Sequence, residues 1–126
     1  MESSAKEERE KRAKREMTKL NRLLRELPKE RAKAAEGLAK RIAFMTVTLE
    51  DLEADINENG TVEPFSQTEN IVYDRQRPAA QIYNSIVRNY SSACKQFLDF
   101  FPDNKNTKDA TDELMDFVKK KKATVR

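Results

Sequence analysis

The sequence predicts a mainly α fold: a long antiparallel helical hairpin, a charged N-terminal helix and a short C-terminal helix, joined by a central connection that could form a small β-ribbon. Two glycines and four prolines in 126 residues leave few helix breakers. Apolar residues recur at helical spacing in two long stretches. Residues 56–84, between those stretches, hold one of the glycines and two of the prolines. These features predict two long helices with one marked interruption.

The first half of the chain predicts two helices, at residues 4–26 and 28–57. The first has almost nothing apolar before Met17, so we expect its first dozen residues to project into solvent or fray. In the second, apolar residues follow one another at steps of four and three, which is the spacing of a heptad seam. A fresh N-cap at Thr48 could kink this helix. The seam continues through that point, which favours one helix ending at Asn59-Gly60.

The second half predicts a long helix from residue 79 to about 101 and a last short helix from Thr107, followed by a tail that contains four lysines, 119–122. We divide the chain into a basic N-terminal helical arm (1–34), a central hairpin that forms the oligomerisation core (35–103) and a C-terminal helix with basic tail (104–126). The connection is too apolar for a solvated tether, so we expect a β-ribbon around residues 61–63 and 71–73. Its apolar side chains are expected to pack on the hairpin end or on a neighbouring subunit; they are Val62, Phe65, Ile71, Val72 and Tyr73.

The apolar stripes predict self-association. The stripe on the third helix is wider than one partner helix can cover, and a chain of this size buries only a modest core alone. A second subunit would cover the remainder. The predicted oligomer-interface residues are Leu38, Ile42, Met45, Leu49, Leu52, Ile82, Ile86, Tyr90 and Phe97.

Charge is distributed in blocks along the chain. Residues 1–41 carry a net charge of +6, residues 42–74 carry −8 without a single Lys or Arg, and residues 75–126 carry +5. A basic block beside an acidic one is typical of proteins that contact a polyanion, although solvated helix faces can also produce such runs. Double-stranded DNA is the predicted partner. Its expected ligands are Arg12, Arg15, Lys19, Arg22, Lys29, Arg31, Lys33, Lys40 and Arg41.

The residues needed for common catalytic sites are missing. The chain has no His and one Cys, so His-based acid–base chemistry and Cys-rich zinc sites are excluded. Cys94 lies on an apolar stripe and is interpreted as a core thiol. The acidic residues of 50–58 could bind a divalent cation weakly, but a solvated face or a patch for a basic partner fits them better. We expect a non-enzymatic protein without cofactor or metal, without a membrane span, in a reducing cytoplasm.

The order of three features along the chain resembles a known protein family. A helix ends in the turn Glu58-Asn59-Gly60, an extended segment follows, and a proline-opened helix carries a Y-N-x-x-[IV]-x-N-Y pattern, read here as Tyr83, Asn84, Val87, Asn89 and Tyr90. Residues 38–103 are therefore similar to the small terminase subunits of tailed bacteriophages. The resemblance implies a ring-forming, non-catalytic component that binds viral DNA and regulates the large ATPase/nuclease subunit in the bacterial host cytoplasm.

Two other functions are compatible with the residues. An oligomeric helical scaffold or adaptor would carry the same stripes with no nucleic-acid role, its charges only keeping it soluble. A small transcription factor would bind one short duplex, but no helix-turn-helix signature is evident. DNA binding discriminates the scaffold from the other two.

Overall fold

A computed structural model describes residues 2–102 of the chain. They form three helices and a two-stranded antiparallel sheet: α1 (Glu2–Leu24), α2 (Lys29–Asn59), β1 (Val62–Thr68), β2 (Ile71–Gln76) and α3 (Pro78–Leu98). The mainly helical fold with a small β-ribbon is confirmed. The expected C-terminal helix and the lysines 119–122 lie outside the described residues.

Helix α2 is continuous over its 31 residues. Its β-branched threonines are accommodated because the Thr46 hydroxyl donates to the Ile42 carbonyl (2.8 Å) and the Thr48 hydroxyl donates to the Phe44 carbonyl (3.0 Å). The fresh N-cap at Thr48 does not form. The helix ends at Gly60, whose φ of 80° and ψ of −172° lie in a region that is essentially restricted to glycine.

The three helices pack with α2 in contact with both others. The start of α3 lies beside the end of α2, where the Tyr83 hydroxyl donates to Glu53 (2.8 Å). The opposite ends meet where Arg31 donates to the Phe100 carbonyl (3.5 Å). The two helices are therefore antiparallel, and α2 returns along α1 after the turn at 25–28.

The first dozen residues, which we expect to project into solvent or fray, include one side chain that contacts α2. The side chains of residues 4–11 are all exposed, but Arg12 reaches α2, 39 positions further along the chain, and donates to Asp51. The contact between Arg12 and Asp51 is made by charge, so the apolar periodicity of the sequence could not predict it.

The core is formed mainly by α2 and α3, with the C-terminal half of α1 closing one side. Alanines 35, 39 and 43 are small, so α2 can approach its neighbours closely, and Leu20 and Leu24 of α1 belong to the same cluster. The largest fully buried side chains are Tyr90, Phe97, Ile42, Leu49 and Cys94. The Phe97 and Phe101 rings meet edge to face at 5.2 Å between centroids.

The ribbon is longer than predicted and projects from the bundle. Glu63 and Arg75 form an ion pair across it (2.8 Å), and the Phe65 and Tyr73 rings meet edge to face. Every residue of β2 is exposed. The expectation that Val62, Ile71, Val72 and Tyr73 pack on the hairpin end is wrong. Their packing on a neighbouring subunit stays a prediction.

Candidate nucleic-acid and assembly surfaces

One end of the bundle collects basic side chains from two helices. The turn at 25–28 brings the last turns of α1 beside the first turns of α2, so Lys19 and Arg22 share this end with the cations of α2. An open cleft of about 460 Å³ lies at the junction and is lined by Arg25, Lys29 and Lys33, together with Asn21 and Glu36. We name these three cations the basic cleft. The arrangement can hold a polyanion through charge and hydrogen bonding without reading sequence.

Arg25 was not among the predicted DNA ligands. It is exposed and lies two residues before Leu27, in the turn itself. Charge alone does not distinguish it from its neighbours, since its proximity to Lys29 and Lys33 arises from the reversal of the chain. The signal that could have found it is the predicted helix start at Pro28, taken together with an antiparallel return of the second helix along the first.

Several predicted DNA ligands also have protein partners. Lys19 pairs with Glu16 (3.2 Å), Lys40 pairs with Glu36 (3.6 Å), and Arg41 donates to the Gly37 carbonyl (3.2 Å). Exposed ion pairs of this kind contribute only about 0–1 kcal/mol. The ion pairs of Lys19 and Lys40 therefore leave these two side chains able to exchange a carboxylate for a phosphate.

Arg12 lies apart from the basic cleft. Its guanidinium donates to Asp51 (2.6 Å) and lies 3.6 Å from Glu50. The hydrogen bond to Asp51 is the main reason that the pKa of Arg12 is raised. Arg12 is thus separated from the basic cleft by more than two turns of α1 and faces the acidic part of α2.

The acidic side chains at the end of α2 hold the ribbon and α3 in place. Asp55 accepts hydrogen bonds from Asn59 (2.6 Å) and from Arg77 (3.0 Å to each oxygen), and these two partners lower its pKa. Glu53 accepts from Tyr83. No group of three or more acidic or thiol side chains among the described residues has a metal-binding arrangement.

The predicted oligomer-interface residues divide into two sets. Ile42, Leu49, Tyr90 and Phe97 are covered within one chain, so a second subunit could contact them only if the core opened. The other five remain at least partly exposed: Leu38, Met45 and Leu52 recur every seven residues on α2, and Ile82 and Ile86 lie four apart on α3. We name these five side chains the apolar flank.

The apolar flank borders a second open cleft, of about 640 Å³, which Leu38 and Met45 of α2 and Ala93 of α3 help to line. Phe44 lies at its edge with 68% of its surface exposed. The heptad seam was predicted correctly as a pattern, but a pattern cannot show which of its members the chain covers by itself. Only those members of the seam that remain exposed are available to contact a second subunit.

Cys94 and Tyr90 belong to the core. Cys94 has no exposed surface, and burial raises the pKa of its thiol to about 11. Burial likewise raises the pKa of Tyr90. These groups are protonated near neutral pH, and Cys94 packs as a small apolar side chain.

No family model, no curated protein and no solved structure matches this chain. Among the helices of residues 2–102, none is both long and apolar enough to cross a lipid bilayer.

Proposed function

We propose that the protein is a terminase small subunit of a tailed bacteriophage: a non-catalytic, homo-oligomeric component that binds double-stranded DNA and regulates the large ATPase/nuclease subunit in the bacterial cytoplasm. The observation that supports DNA binding best is the basic cleft, because three cations from two elements converge at one end of the bundle. The opposite end of α2 is acidic. This separation of charge would orient the molecule on a polyanion.

The apolar flank supports the oligomeric part of the proposal. Its side chains recur at helical spacing on two antiparallel helices, and Ile82 is 49% exposed. A second copy packing there would cover them. A contact that uses different surfaces on the two partners repeats from copy to copy and closes into a ring when its rotation permits.

The test of DNA binding is a titration of a 30-bp duplex, followed by fluorescence anisotropy between 50 and 200 mM salt. Wild-type affinity should fall steeply with salt. Lys29→Gln with Lys33→Gln should weaken binding about tenfold at the lower salt and reduce the salt slope by about two phosphate contacts.

The matched control is Arg88→Gln with Lys95→Gln, which removes two exposed cations from α3. This control should keep the wild-type salt slope. Equal effects of the two double variants would show that binding does not use the basic cleft, and absence of binding by the wild type would overturn the DNA proposal.

The apolar flank also fits the scaffold or adaptor function, since it supports assembly whether or not DNA binds. Ile82→Glu should shift the native mass to the 14.6 kDa of one chain, whereas Gln81→Glu, at a neighbouring exposed position, should not. A scaffold would show this loss of assembly and no binding of any duplex.

A further inference from the structure

The N-terminal half of α1 is attached to the bundle differently from the C-terminal half. Leu20 and Leu24 are buried, and Met17 packs against the same core. Between residues 4 and 16, no apolar side chain is buried, and Ala13 alone is partly covered. The first half of the helix therefore has little apolar surface to hold it against α2.

Arg12 forms a polar link between this half and α2. The Arg12 guanidinium lies 2.6 Å from the Asp51 carboxylate and 3.6 Å from the Glu50 carboxylate, and both acidic side chains are nearly half exposed. Two acidic oxygens on adjacent residues present to a guanidinium what a phosphate group presents: negative charge and acceptors at hydrogen-bond distance. The same surface exposure lets a soluble polyanion reach Arg12.

We propose that Glu50 and Asp51 act as an intramolecular substitute for phosphate: they clasp Arg12, hold the N-terminal half of α1 against α2, and release it when a DNA phosphate takes the arginine. This inference rests on the proposed function for its ligand. The raised pKa of Arg12, caused mainly by Asp51, agrees with a formed contact.

The clasp explains the two contrasting blocks of charge. Residues 1–41 carry a net positive charge, whereas the charged side chains of α2 from residue 50 to 58 are all acidic. Docking α1 on α2 places Arg12 against this acidic segment, so part of the basic block is neutralised within the chain. The basic cleft, more than two turns away, stays available and would make the first contact with DNA.

The first experiment requires no DNA. Amide hydrogen exchange in residues 4–12 is compared between Glu50→Gln with Asp51→Asn and a charge-matched control, Glu58→Gln with Glu69→Gln, whose side chains are exposed. Exchange should be faster in the first variant only, because an undocked helix segment is marginal in water. Equal exchange in the two variants overturns the clasp, whatever the protein does with DNA.

The second experiment measures affinity for a 30-bp duplex at 50 mM salt. Relative to the control, Glu50→Gln with Asp51→Asn should bind about two- to fivefold more tightly, which is the range expected from freeing one exposed ion pair. Adding Arg12→Gln should abolish this gain, while Arg12→Gln alone should change wild-type affinity less than twofold.

A gain in DNA affinity that persists when Arg12→Gln is added would come from the loss of negative charge in general. It would contradict the proposal that the two carboxylates compete with DNA phosphate for Arg12. If no variant binds the duplex but exchange differs as expected, the proposed function and the competition fail together, and the clasp stands as a structural contact. The two failures are therefore distinguishable.

Discussion

The helical bundle and the ribbon contain the same kinds of apolar side chain but cover them differently. In the bundle, Leu49 and Phe97 have no exposed surface. In the ribbon, Ile71 and Val72 are more than 60% exposed. The difference follows from geometry, since three helices enclose a common interior whereas a lone two-stranded ribbon has no second layer. The bundle is therefore where the folding stability of residues 2–102 resides, and the ribbon is a surface that these residues leave uncovered.

The largest expected effect separates the two regions by stability. Phe97→Ala should lower the free energy of unfolding by about 3–5 kcal/mol, because it removes a buried ring and leaves a cavity. Val72→Ala should change it by less than about 0.5 kcal/mol, since little surface is buried there. Urea denaturation monitored by circular dichroism gives both values. A similar cost at both positions would show that the ribbon is part of the folded core.

Cys94 reports on the bundle directly because it is the only thiol in the chain. With no exposed surface and a pKa of about 11, it should react with iodoacetamide at pH 8 at least about a hundredfold more slowly than a free thiol of pKa ~8.5. Alkylation in increasing urea should accelerate along the unfolding transition. Fast reaction without denaturant would mean that the core around α3 opens readily.

Gly60 tests the junction between bundle and ribbon, and Gly37, inside α2, provides the contrast. Gly60→Ala should destabilise the chain by about 1–3 kcal/mol, because its φ of 80° and ψ of −172° disfavour a side chain. Gly37→Ala should stabilise it by about 0.5–1 kcal/mol, because the added Cβ meets only the end of the Arg41 side chain, at 3.6 Å, within α2. Thermal melts of both variants measure the contrast. A stabilising Gly60→Ala would mean that the junction has a different backbone.

The smallest effect is a pH dependence at the same junction. Asp55 has a lowered pKa because it accepts hydrogen bonds from Asn59 and Arg77. Its contribution to stability is therefore present above the unfolded-state pKa and is lost as pH falls through the lower folded-state pKa. Asp55→Asn should flatten this part of the stability profile between about pH 5 and pH 2. Urea midpoints over that range check it, with Glu58→Gln as the control; an unchanged profile would contradict the role of Asp55.

The sequence identified the elements better than their contacts. Helical spacing and the scarcity of breakers predicted α2 and α3, and the apolar connection predicted a ribbon. The strands are longer than expected because their pairing extends to Thr68 and Gln76, which depends on register across the turn rather than on local apolarity.

The candidate sites could not be predicted from the sequence either, because they depend on contacts between distant parts of the chain. Docking of Arg12 on Asp51 and the convergence of Arg25 on Lys29 and Lys33 depend on how chain segments return in space. The heptad seam likewise predicted apolar positions, but Ile42 is enclosed within the chain while its neighbour in the seam, Met45, stays partly exposed. The pattern of apolar residues does not show which of them the packing of the helices covers.

Native mass spectrometry of the wild-type chain at micromolar concentration, with and without a 30-bp duplex, tests the central claim most directly. The proposed terminase small subunit should appear as a closed multiple of 14.6 kDa that gains the mass of the duplex at low salt. A single species at 14.6 kDa that never gains the duplex would contradict both the assembly and the DNA-binding parts of the proposal.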